Sequence, residues 1–355
     1  MVTLFHWEVP QAFEDEYGGF LSSRIVGDFG EFVDFCFQAF GDRVKHWITL
    51  NEPNTFAINS YATGTYAPGR CSEWEFHNCL GGNSATEPYI VGHNLILAHA
   101  RAVKIYREKY QGIQQGAIGI TVLSDWYVPY CKTDNANIEA ASRAVDFLSG
   151  WFFTPVVHGH YPESMIWRVG DRLPNFNEEE RSFIKGSFDF LGVNYYTSNY
   201  AVNNEQPVQR PSYLTDSGAI SLNVPQLGPK VNASSWLAVY PRGLRDTLLD
   251  IKRKYNDPVI YITENGYYEY NNSDVRELID DMDRVNFYKE HLYYLHQAIE
   301  EGVRVKGFLA WTLLDDFEWQ AGYTERFGLT YVDFNDNLKR TPKLSLKWFN
   351  KFLKT

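Results

Sequence analysis

Two glutamates in this sequence sit in matching positions. Glu52 closes the apolar run HWITLNE just before a proline, and Glu264 closes VIYITE just before Asn-Gly. A glutamate in such a place is either a group at the mouth of a parallel sheet or a solvated loop residue. For one alone the two readings weigh about equally, because glutamate is rarely buried unless paired or used. Two in the same context, each beside an asparagine, weaken the solvated reading. A carboxyl pair is what glycoside hydrolysis requires: one protonates the leaving oxygen, and the other attacks the anomeric carbon or activates water. A separation of about 5–5.5 Å gives retention and roughly 6.5–9.5 Å gives inversion.

The elements that must hold the pair are legible as short apolar runs alternating with amphipathic stretches. Runs at 2–7, 45–52, 117–124, 189–196, 258–265 and 305–314 read as parallel strands buried on both faces. Between them lie helices. In 24–40, Ile25, Phe29, Phe32, Val33, Cys36, Phe37 and Phe40 make one stripe at spacings of three and four. Residues 87–110, 136–152, 242–255 and 275–301 show the same period, and the Pro/Gly-rich segment 200–235 reads as a long loop. The alternation indicates a parallel α/β fold. No GxGxxG or phosphate loop follows a strand, which disfavours a nucleotide fold. Polar residues gather instead at strand ends (His6, Asn51, Glu52, Asn194, Tyr196, Glu264, Trp311), where barrel enzymes place their chemistry. A barrel of this kind needs eight strands, and six are visible. Met1 leads straight into the first of them, so the expectation is a TIM barrel without its first two β/α units.

Composition sets the outer limits. A net charge of −11 argues against nucleic acid or an anionic membrane as the main partner. Aromatics make up 16% of the chain, which supplies a large core and, beyond that, platforms for an apolar-faced ligand such as a sugar ring. Cys71 and Cys79 flank a polar, Gly-rich segment and are expected to form a loop-stapling disulfide, which implies an oxidising compartment. Cys36 lies on the helical stripe as a small hydrophobe, and Cys131 receives no role. Two sequons, at Asn232 and Asn271, fit a glycoprotein of the secretory route (vacuole, ER-derived body or apoplast), although no signal peptide is present in the chain.

TLNEP (49–53) and ITENG (262–266) resemble the acid/base and nucleophile motifs of family 1 glycoside hydrolases. Further matches run the length of the chain: LFHWEVPQAFEDEYGG (4–19), FGDRVKHW (40–47), GNSATEPYIVGHNLILAHA (82–100), LGVNYYTS (191–198) and LAWTLLDDFEW (309–319). The YAPGRC loop and the GNSATEPY stretch are most like the plant branch. The resemblance implies a (β/α)8 barrel of which 1–355 would supply strands three to eight as one catalytic domain. It implies a retaining β-glucosidase acting on a plant glycoside, with Glu52 as acid/base and Glu264 as nucleophile. His6 and Asn51 would then bind sugar hydroxyls, Asn194 would support Glu52, and Tyr196 would position Glu264. Trp311 would stack under the ring, and Glu318 would take the outer hydroxyls beside Trp319, with Phe327 nearby. A carboxylate at Glu318 would repel a sugar phosphate, so an unphosphorylated glycoside is expected, and the intact Glu52 argues against a myrosinase.

The chain departs from the family after Asn-Glu-Pro, where Asn54 replaces a usual aromatic of the aglycone site. Tyr267 and Tyr268 are also distinctive, and Trp236 is a further candidate at the mouth. No metal or cofactor is required. His93 and His99 fall on different helix faces, and His158 and His160 have no partner at metal spacing. The run Glu178–Glu180 reads as a solvated helix start. The partner is a small-molecule β-glucoside, and a homo-oligomer stays open. Two alternatives stand beside hydrolysis: an inactive truncated product, whose raw sheet edges would invite aggregation, and a transglycosidase using the same carboxyls.

Overall fold

The computed structural model describes residues 1–354 apart from 76–78, 207–208, 232–234 and 272–273. Six strands form one parallel sheet: β1 (Val2–Phe5), β2 (His46–Asn51), β3 (Ala117–Leu123), β4 (Phe190–Asn194), β5 (Ile260–Glu264) and β6 (Val305–Phe308). Their spatial order is their chain order, with each pair in parallel register, as in Gly119 with Phe190 and Leu191 with Ile260. A doubly wound sheet reverses its order at a switch point. This one never does, so the winding is that of a barrel. Among the described residues β1 and β6 each have a single neighbour.

Helices cross between consecutive strands and cover the outside of the sheet. Arg24–Phe40 buries Ile25, Phe29, Val33, Cys36 and Phe37 against Glu87–Ile105 and β2. Phe32 and Phe40, expected on that stripe, are instead exposed at 47% and 43%. The buried arc is narrower than the seven-residue stripe, and Phe32 lines an apolar groove with Leu4, Phe13 and Phe29 on the free side of β1. The expected helix 275–301 breaks into Val275–Ile279 and Met282–Glu300, because Asp281 turns inward to hold Ser345 and Arg284.

Two further expectations need correction. Residues 200–235 are not one long loop. Ser198–Asn203 and Ala219–Leu222 pair antiparallel, and Trp126–Pro129 joins them in a small second sheet above the barrel. A short helix, Tyr213–Asp216, is capped by Ser212. The run 305–314 is strand only to Phe308; the rest turns irregular as Leu314 bridges to Thr330. Cys71 and Cys79 are joined in a disulfide with Cα atoms 5.4 Å apart. The Asn232 sequon and two residues of the Asn271 sequon lie outside the described residues.

Candidate active site

The strand ends converge on one hydrogen-bonded chain. Thr121 on β3 donates to the Thr263 hydroxyl on β5 (3.2 Å), and Thr263 donates to Asn194 Oδ1 on β4 (2.6 Å). That fixes the Asn194 amide with its nitrogen outward. Asn194 Nδ2 then donates to Asn51 Oδ1 (3.1 Å) and to Glu52 Oε1 (2.7 Å). Asn51 Nδ2 lies 3.0 Å from His6 Nε2 beyond β1. Burial drops the His6 imidazole to about 4, so it is neutral at ordinary pH. Neither threonine is among the residues singled out from the sequence. Their signal was available, since both occupy inward positions of otherwise apolar strands.

Glu52 lies one residue past β2 in a left-handed backbone conformation (φ 41°, ψ 56°), which costs a non-glycine residue about 1–3 kcal/mol. The turn aims its carboxyl into the site and starts the helix Pro53–Tyr61, with proline at the first helical position. Thr55 donates to Glu52 Oε2 at 2.7 Å. Glu264, the last residue of β5, accepts from the Tyr196 hydroxyl on Oε2 at 2.7 Å and is the register partner of Asn194 on β4. Asn194 holds Glu52 and lies beside Glu264 across the β4–β5 pairing, which brings the two carboxyls near enough to repel.

Both carboxyls are pushed up, first by burial; on Glu264 the next cause is repulsion from Glu52. Two buried like charges cannot both persist cheaply, so the pair holds one proton between them. Replacing Asn194 by Leu removes the amide that holds Glu52 and Asn51. We expect kcat to fall about 10- to 100-fold, the cost of buried acceptors losing a donor. Both limbs of the pH–rate profile should move together, which a general loss of stability would not produce.

The opposite wall comes from the segment after β6. Trp311 Nε1 faces Glu318 Oε2 at 3.4 Å. The Trp319 ring lies 4.4 Å from Trp7 and 5.8 Å from His6, while Tyr66 stacks on Trp7 at 5.3 Å. This cluster forms a broad aromatic surface beside His6. Burial and then Asp316 raise Glu318 to about 7. The segment is anchored by Asp315, which accepts from Lys343 (3.0 Å), Arg326 (2.8 Å) and the backbone N–H groups of Gly328 and Val332. Four donors on one buried carboxylate fix the loop that carries Glu318.

Phe327 is buried and packs on Tyr196 (6.0 Å) and Tyr268 (5.3 Å), supporting the site from behind. Trp236 is 45% exposed and meets Tyr196 edge-on at 5.8 Å. Asn54 is fully buried: its amide nitrogen donates to the carbonyls of Leu123 and Leu148, so it fastens a helix to β3 and does not face the cleft. Tyr267 and Tyr268 are likewise buried in the outer core. His99 is buried against Thr49, and His158 and His160 face the backbone carbonyls of Lys254 and Tyr161.

The Glycosyl hydrolase family 1 model matches residues 1–355. Beta-glucosidase 12 of Oryza sativa subsp. indica is 52% identical, over 99% of this chain and 70% of its own length. The isoflavonoid 7-O-beta-apiosyl-glucoside beta-glycosidase of Dalbergia nigrescens is 51% identical, over 99% of this chain and 65% of its own. A rice β-glucosidase solved in covalent complex with glucose has a TM-score of 0.97 at 46% identity, covering all of this chain and 76% of that one. With a carboxyl pair at the strand ends of a barrel sheet and a match along its whole length, the chain belongs to glycosyl hydrolase family 1.

Proposed function

We propose that this chain hydrolyses β-glucosides with retention of configuration, residues 1–355 acting as one catalytic barrel domain. The observation that carries the reading is Asn194, which donates to Glu52 and stands in strand register beside Glu264. Carboxyls near enough to repel at neighbouring strand ends suit the shorter spacing, about 5–5.5 Å, associated with retention. In the first step a Glu264 oxygen attacks the anomeric carbon, and the bond to the aglycone oxygen breaks. The bonding pair stays on that oxygen, which takes the proton held by Glu52. Once Glu264 is esterified its charge is gone, and Glu52 is left as the anion. It then takes a proton from water while the water oxygen attacks the anomeric carbon and releases Glu264. Tyr196, donating to Glu264, favours the charge there at the start and releases it as the ester forms.

His6, Asn51, Trp311, Glu318 and Trp319 form the sugar-binding side. Glu318 takes hydroxyls as an anion and disfavours a phosphorylated sugar. The relatives named above are plant enzymes, and the Cys71–Cys79 disulfide supports passage through an oxidising secretory compartment. Among the described residues no helix is long and apolar enough to cross a membrane.

The test is the anomer released first from an aryl β-glucoside, followed by proton NMR. β-Glucose is expected before mutarotation; α-glucose would overturn the reading. The pH dependence of sugar binding follows from Glu318. Below about 7 its carboxyl is protonated, and above it the anion accepts stronger hydroxyl hydrogen bonds. Inhibition by glucose should therefore tighten between pH 6 and 8. In Glu318→Gln the pH dependence should disappear along with most of the affinity.

A further inference from the structure

One face of the helix Met282–Glu300 carries polar groups that the reaction above does not use. Arg284 is fully buried, and its guanidinium is divided among three segments. Nε donates to the Tyr267 carbonyl (2.9 Å). Nη2 donates to the Arg326 carbonyl (2.8 Å) and pairs with Glu269 Oε2 (3.0 Å). Nη1 donates to Asp281, just before its own helix. One turn on, the fully buried Tyr288 donates its hydroxyl to the Trp311 carbonyl (3.2 Å). Residues 284 and 288 lie on the same face of the helix. That face therefore touches the loop that follows Glu264, the backbone of Trp311 and the backbone of Arg326. The Arg326 side chain in turn holds Asp315, and with it the loop carrying Glu318.

A buried arginine is a costly way to hold a fold, since apolar side chains of similar volume often fill such a place as well. What an apolar side chain cannot do is fix two carbonyls at set points of one planar fork. The two loops also meet directly. The Trp311 N–H donates to the Asn265 carbonyl (2.9 Å), and a Cβ on Gly266 would fall 2.2 Å from the Trp311 carbonyl oxygen. That contact fixes only the near end of the segment after β6. Glu318 stands further along it, and Arg284, through Arg326 and Asp315, ties it back to the nucleophile's loop. We propose that Arg284 is a positioning residue that sets Glu318 relative to Glu264, with Tyr288 setting Trp311 in the same way. The sugar is gripped at its outer hydroxyls while its anomeric carbon must meet Glu264. The spacing of the two grips thus decides how much binding reaches the transition state. The inference rests on the retaining-glucosidase reading and names a residue through which its sugar side acts.

The experiment is a double-mutant cycle on kcat/KM for a nitrophenyl β-glucoside. Arg284→Lys and Tyr288→Phe are each made alone and together with Glu318→Gln. Lysine keeps the charge that Asp281 and Glu269 need but cannot reach both carbonyls. Arg284→Lys should lower kcat/KM about tenfold or more in the wild-type background, and less than about twofold once Glu318 is replaced. Tyr288→Phe deletes one hydroxyl and should fold normally, with a loss of about threefold. That loss should shrink likewise in the double variant, because the Trp311 indole N–H faces Glu318. Were Arg284→Lys not to fold, Tyr288→Phe would decide alone. The pH dependence of glucose inhibition should also flatten in Arg284→Lys, since a misplaced Glu318 contributes less in either protonation state. No loss, or equal losses with and without Glu318, would overturn the inference and leave both residues as supports of the fold. Wild-type chain that turns over no aryl glucoside is a different result: it contradicts the glucosidase reading itself, and the positioning role falls with it.

Discussion

Glu264→Gln should lower kcat on an aryl β-glucoside by about 10⁴-fold or more, with little change in KM. The amide keeps the size of the carboxyl and an acceptor for the Tyr196 hydroxyl, so the site should stay assembled. What is lost is the group that forms the bond to the anomeric carbon, and removal of a covalent nucleophile costs on that scale. The buried repulsion with Glu52 also vanishes, so Glu52 should titrate lower in this variant. Steady-state kinetics together with the alkaline limb of the residual rate check both parts. A variant within tenfold of wild type would require another nucleophile.

Glu52→Gln should show a loss that depends on the leaving group. For an alkyl or sugar aglycone the departing oxygen needs a proton, and loss of the general acid should cost about 10²- to 10⁴-fold in kcat/KM. For a dinitrophenyl glucoside, whose leaving oxygen is stable as an anion, that first step should be nearly unaffected. Hydrolysis of the glycosyl-enzyme still needs the base, so the intermediate should accumulate and KM should drop. Azide needs no base and should restore turnover with formation of β-glucosyl azide. A uniform loss across leaving groups, unresponsive to azide, would point to a structural role for Glu52 instead.

The sheet and the carboxyl pair could be read from the sequence because both rest on strong local patterns. The six apolar runs contain the six strands; Glu264 ends one of them, and Glu52 stands one residue past another. The second sheet was missed because Ser198–Asn203 and Ala219–Leu222 are short, half-exposed and set among Pro and Gly, so no alternation survives. Phe32 and Phe40 carried the period of a core face but lie beyond its arc, since spacing gives a stripe and not its width. The overrun at 309–314 has a similar cause. An apolar run looks like a strand whether it pairs or, as at Trp311, turns away to line a site.

The site's wiring was the least legible part. That Asn194 turns its nitrogen to Glu52 follows from Thr263 holding its oxygen, a contact 69 residues apart in sequence. Asn54 shows the reverse limit. A change of residue type at a lining position suggested an altered aglycone site, whereas the side chain faces inward to backbone carbonyls.

The central claim is a covalent sugar ester on Glu264. Its most direct test is incubation with 2-deoxy-2-fluoro-β-glucosyl fluoride, followed by intact-mass measurement and peptide mapping. One equivalent of fluorosugar on the peptide containing Glu264, with activity lost in step and regained slowly on transfer to an added acceptor, is the expected result. Label on another residue, or no label on chain that still turns over substrate, would contradict the account.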